Sequence, residues 1–165
     1  MIRALAISLL LAPAAEAQSE AEAAALNMGL AVDLCLQELA DQDGMRDGLA
    51  PRFDTAGFTL IEFGGGYEFT GPGVFGYLSP SEPEFFCSVQ SALVPMDRAG
   101  QIAYDRVLYR FPGGVAGLPQ QEARAGCPIM RYTAYGLPHR LQILSAGNSG
   151  ECYERDSAAI LFGAF

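Results

Sequence analysis

Residues 84–94, Glu84-Phe85-Phe86-Cys87-Ser88-Val89-Gln90-Ser91-Ala92-Leu93-Val94, give the strongest strand signal in the chain. Phe86, Ser88 and Gln90 alternate with Cys87 and Val89, the period of a strand with two different faces. Pro95 follows at once. Its fixed φ and missing N–H suit the first turn of a helix. That helix is expected to reach about Phe111, where Pro112-Gly113-Gly114 ends it.

Upstream of this strand, Phe58–Phe63, Tyr67–Thr70 and Val74–Leu78 read as short strands. They are separated by Gly64-Gly65-Gly66 and by Thr70-Gly71-Pro72-Gly73, and Ser79 to Pro83 is a polar turn. Asp47 to Ala56, which contains Pro51, reads as loop. Before it, Ser19-Glu20-Ala21-Glu22 fits a capping box and predicts a helix to about Ala40, stopped by Asp41-Gln42-Asp43-Gly44. Met28, Val32, Cys35 and Leu39 share one face of that helix, with Leu26, Leu30 and Leu34 beside them.

Downstream of the second helix, Pro119 to Gly126 reads as loop, and Cys127–Tyr135, Arg140–Ser145 and Glu151–Phe162 as strands. The order helix, strands, helix, strands predicts an α+β fold with two helices packed on one face of an antiparallel sheet. The same order admits two helix-plus-meander halves. Cys87-Ser-Val-Gln-Ser-Ala and Cys152-Tyr-Glu-Arg-Asp-Ser-Ala echo each other faintly in support.

Cys35, Cys87, Cys127 and Cys152 make an even set without C-x-x-C or zinc-ligand spacing, so disulfides are expected. Three connectivities are open, of which Cys35–Cys87 with Cys127–Cys152 staples each half separately. Export is the compartment that fits. Met1-Ile2-Arg3 carries a positive charge, Ala4 to Ala14 is uncharged, and Ala15-Glu16-Ala17 offers small residues for cleavage before Gln18. Residues 1–17 are therefore read as a signal peptide, and 18–165 as a single domain, periplasmic or secreted. The apolar run falls short of the ~20 residues of a membrane-spanning helix. An outer-membrane barrel is disfavoured by the two helices and the cysteines, although the chain ends in Phe165.

Net charge is −9, with ten Arg and no Lys. That balance argues against nucleic acid and anionic membranes as partners. It also excludes Schiff-base, Walker-type and Ser-Lys chemistry. The charge is uneven: Glu20, Glu22, Asp33, Glu38, Asp41, Asp43 and Asp47 face only Arg46 between residues 18 and 50, whereas six Arg stand against five acids from Gln101 onward.

Motifs for catalysis are few. Gly71-Pro72-Gly73-Val74-Phe75-Gly76 has the letters G-x-G-x-x-G, but no helix follows to hold a pyrophosphate, so it reads as a hairpin turn. His139 is the single histidine, in a turn with no serine motif to partner it. Glu62 and Glu68 flank the glycine turn and would serve carboxylate hydrolysis if they faced each other. Arg106 and Arg110, four apart on the second helix, would with Arg131, Tyr135 and His139 form an anion-binding and stacking surface.

The residues call for no cofactor and no metal. The function expected is a non-catalytic exported binding module for a protein partner or small ligand, an envelope-enzyme inhibitor presenting Ser79–Pro83 included. A small carboxylate-dependent hydrolase and a structural envelope component are the alternatives.

Overall fold

The computed structural model of the chain describes residues 12–40, 48–79, 85–110, 115–124, 127–134, 140–145 and 158–163. Among them stand three helices, α1 (Ala12–Ala40), α2 (Leu49–Thr55) and α3 (Met96–Arg110). Eight strands accompany them: β1 (Thr59–Phe63), β2 (Gly66–Gly71), β3 (Val74–Ser79), β4 (Phe86–Ser91), β5 (Val115–Arg124), β6 (Cys127–Ala134), β7 (Arg140–Ser145) and β8 (Ala158–Gly163). All eight form one antiparallel sheet in the order β1-β2-β3-β4-β8-β7-β6-β5. The fold is α+β, and each half of the sheet is a four-strand meander. The two meanders join through their last strands, with Val89 opposite Ile160.

Three sequence expectations need correction. Among the described residues there are three helices rather than two, because 49–55 is helical instead of loop. Pro51 is tolerated there as the third helical residue after the Gly48 N-cap, where its absent N–H would have had no partner anyway. Residues 119–124 are strand β5 rather than loop. Proline removes one ladder donor, and the register shifts between Ala116 and Gln120, so the bulge absorbs Pro119 on an edge strand. Of the expected last strand, Glu151–Phe162, the part before Ala158 lies outside the described residues, and the rest is β8. Finally, α1 begins at Ala12, crosses the Ala17–Gln18 junction without a break and places Ser19 inside the helix rather than at its N-cap.

The expected second helix is α3, with Ala99 donating from its backbone N–H to the Pro95 carbonyl at 2.9 Å in the first helical bond. Its buried residues Ala99, Ile102, Ala103 and Val107 recur at helical spacing. On α1 the buried stripe is Ala24, Ala25, Met28, Ala31, Val32, Cys35 and Leu36, whereas Leu26 and Leu30 are exposed. The small residues, not those two leucines, face the sheet.

Both helices cover one face. The transverse row Leu60–Phe69–Gly76–Val89–Ile160 follows from successive strand pairings, and its last four members are buried on the helix side. Cys35 of α1 is disulfide-bonded to Cys87 of β4, the expected pair, with Cα atoms 6.1 Å apart. Cys152, and with it the expected Cys127–Cys152 bridge, lies outside the described residues.

Under β1 and β2, Phe53 of α2 packs against Phe58 and Phe69 with ring centroids 5.9 and 4.9 Å away. This aromatic cluster gives α2 its place, since Phe53 is fully buried there. Glycines on β2 and β3 lie beneath aromatic rings. A Cβ on Gly76 would collide with the Phe69 ring and the Ser88 carbonyl, and one on Gly71 would sit 2.6 Å from the Phe58 ring. The rings thus substitute for the missing side chains, a known means of stabilising glycine in sheets.

Candidate functional site

The row adjacent to the buried one runs Ile61–Glu68–Tyr77–Ser88–Leu161–Gln142–Arg131–Gln120 across all eight strands. Successive strand residues alternate faces, so this row belongs to the side opposite α1 and α3. That side holds exposed apolar residues within the first half. Ile61, Phe63 and Phe75 are 59%, 60% and 53% exposed. Tyr77 and Phe86 lie on the same face, partly buried, with ring centroids 6.4 Å apart.

Tyr77 is held flat on this face. Its ring lies over Gly66, where a Cβ would be 2.6 Å from the hydroxyl, and that hydroxyl donates to the Gly64 carbonyl at 3.5 Å. The other side of the sheet is filled, because the core residues of α1, α3 and the strands form one buried cluster. Exposed apolar side chains on a filled sheet offer a surface rather than a cavity.

Glu62 and Glu68 do not come together. Gly64 and Gly65 both have positive φ, 59° and 84°, and form a two-residue turn with Phe63 opposite Gly66. Glu62 therefore pairs with Tyr67, and Glu68 with Ile61. The two carboxylates lie on opposite faces, and the pair that glycoside hydrolysis would need is not assembled. Both are exposed.

Of the expected Arg surface only Arg106 and Arg110 have described side chains. Arg106 is engaged with α1: its Nη1 donates to Asp33 Oδ2 at 2.7 Å, and its guanidinium lies against Gly29. Arg110 is exposed at the last turn of the same helix. Arg131 pairs with Gln142 in the β6–β7 register. Tyr135 and His139 lie outside the described residues, as does the Pro80–Pro83 part of the expected presenting loop. The G-x-G-x-x-G letters are the β2–β3 turn, as expected, with Ser91 Oγ donating to the Gly73 carbonyl at 2.7 Å.

Sequence reading missed two charged features. Glu38 is a buried carboxylate that accepts from Arg52 Nη1 at 3.2 Å. Burial raises the Asp33 carboxyl above its ordinary range, although Arg106 and Arg110 pull it down. Both tie helices together instead of lining a cleft. Among the described residues no cluster of His, Cys, Asp and Glu is arranged to hold a metal ion, and no helix is long and apolar enough to cross a membrane. In comparisons with known proteins, no family, no curated protein and no solved structure matches this chain.

Proposed function

We propose that the chain is a non-catalytic exported binding module that takes a protein partner on the helix-free face of its sheet. The observation that supports this most is the exposure of Ile61, Phe63 and Phe75 on that one face. Aromatic anchors surrounded by polar residues such as Thr59, Thr70 and Glu68 have the composition of a protein-recognition patch. A buried disulfide fits an oxidising compartment, and the expected signal segment fits the same route.

The test is site-specific photo-crosslinking in the native host. A photoreactive phenylalanine analogue replaces Phe75 or Ile61, and in a control Tyr109, which is 82% exposed on α3. One discrete adduct at positions 75 and 61 and none at 109 is the expected result. Equal labelling at all three positions, or none, would overturn the reading. An adduct with a second copy of the chain would favour a structural envelope role instead.

A further inference from the structure

The two edges of the sheet differ. The β5 edge contains Pro119 and a register break between Ala116 and Gln120, two devices that stop a further strand from pairing. The β1 edge contains neither. Its five residues pair with β2 in unbroken register from Thr59↔Thr70 to Phe63↔Gly66. Among the described residues no strand lies on its outer side.

The turn fixes which backbone groups point outward. A two-residue turn with positive φ at Gly64 and Gly65 makes Phe63 and Gly66 the pair that exchanges both hydrogen bonds. Alternation then turns Ile61 and Thr59 inward toward β2 as well. The N–H and C=O groups of Leu60 and Glu62 face away from the sheet. Ile61 and Phe63 sit exposed on the helix-free face beside this free edge, and Glu62 is exposed on the other.

We propose that β1 accepts an extended segment of a protein partner as a ninth strand, with a cationic residue opposite Glu62 and apolar residues opposite Ile61 and Phe63. The backbone of Leu60 and Glu62 supplies the hydrogen bonds, and alternate side chains supply the selection. Charge decides for a cationic segment over a second copy. Among the described residues Glu62 and Glu68 have no ion-pair partner. The whole chain carries −9, so two copies repel while a basic strand is attracted. The inference rests on reading the chain as a protein-binding module, and narrows the partner to one that presents a basic, alternating strand.

The experiment uses the folded chain, isotope-labelled, and a synthetic peptide of alternating arginine and valine. Two comparison peptides are used: one with alternate backbone nitrogens methylated, which keeps the charge, and one with glutamate in place of arginine. The expected result is shifts confined to residues 59–63 and slowed hydrogen exchange at the Leu60 and Glu62 amides. The methylated peptide should bind about tenfold more weakly or worse, and Glu62→Gln should weaken the arginine peptide without lowering the melting temperature.

Equal binding of the methylated peptide would reduce the effect to unspecific charge attraction and overturn the proposal. So would the absence of binding, or concentration-dependent protection of Leu60 and Glu62 in the protein alone, which would identify a second copy as the occupant. Crosslinking at Phe75 reads the face and not the edge. A positive crosslink with a failed peptide titration would therefore remove this inference alone.

Discussion

Arg106 on α3 reaches back 73 residues in sequence to bond Asp33 on α1 at 2.7 Å. Closer to both N-termini, Arg98 meets Glu22 at 3.7 Å. Two contacts in the same order along both helices require α1 and α3 to run in the same direction. The antiparallel joining of β4 and β8 would, in a simple duplication, be accompanied by a two-fold axis normal to the sheet. Such an axis would reverse one helix relative to the other. The meanders repeat, but α1 and α3 are not exchanged by that operation.

The Asp33 carboxyl should titrate above the ordinary aspartate value. Burial disfavours its charged form more than Arg106 and Arg110 favour it. A raised pKa means the folded state holds the proton more tightly than the unfolded chain does. Asp33 therefore contributes stability that is full below the unfolded pKa and is lost as pH rises through the folded one. Carboxyl-detected NMR titration measures this directly, and Asp33→Asn should remove that part of the pH slope. A value below the ordinary range would show that the guanidinium outweighs burial.

Breaking the Cys35–Cys87 bridge should cost about 4 kcal/mol on the chain-entropy account, given a separation of 52 residues. Replacing both cysteines by alanine and measuring urea unfolding tests it. The double variant should keep its far-ultraviolet circular dichroism, because Met28, Val32, Val89 and the rest of the buried apolar cluster remain. Loss of less than about 1 kcal/mol would mean that the unfolded chain is already compact in this region.

Gly76→Ala should destabilise by about 1–3 kcal/mol through overpacking, since the new Cβ meets the Phe69 ring and the rigid Ser88 carbonyl. Gly57→Ala is a useful contrast. There φ is +85° and no atom lies within 4 Å, so only backbone strain applies. Combining Gly76→Ala with Phe69→Leu should recover part of the loss, as the smaller side chain clears the site. Chemical denaturation of the three variants separates steric from conformational cost.

Phe53→Ala should be the most damaging truncation of the first half, at about 3–5 kcal/mol. The side chain is fully buried and touches both Phe58 and Phe69. Because Phe69 in turn covers Gly76, the loss should loosen β2 and β3 together. Amide exchange of residues 66–79 would show this as a shared rise in rate. A rise limited to 49–55 would show that α2 is only an appendage.

The strands whose signal came from alternation were legible, and Phe86–Ser91 with its following helix is the clearest case. Proline misled twice. At Pro51 the first turn of a helix needed no donor, and at Pro119 an edge strand could absorb the gap, so a breaker residue did not break either element. The carboxylate pair failed for a subtler reason. A three-residue turn over Gly64-Gly65-Gly66 would have set Glu62 directly opposite Glu68. The two-residue turn shifts the register by one and sends them to opposite faces. Composition does not reveal that difference, nor does it show that Ile61, Phe63 and Phe75 share the open side.

Phe75→Thr isolates the role of that open side. Phe75 is 53% exposed and pairs with Thr70 and Gln90 across the sheet. Threonine, which is β-branched, retains strand preference at this position. Stability should therefore change by no more than about 0.5 kcal/mol, the range of an ordinary surface substitution. Partner capture, read by crosslinking from position 61 in the same variant, should fall steeply, since an exposed aromatic anchor carries a large share of the binding free energy. A large loss of stability would place Phe75 in the packing of the sheet. Unchanged crosslinking together with unchanged stability would leave the ring without a role in recognition, and the helix-free face would lose that anchor.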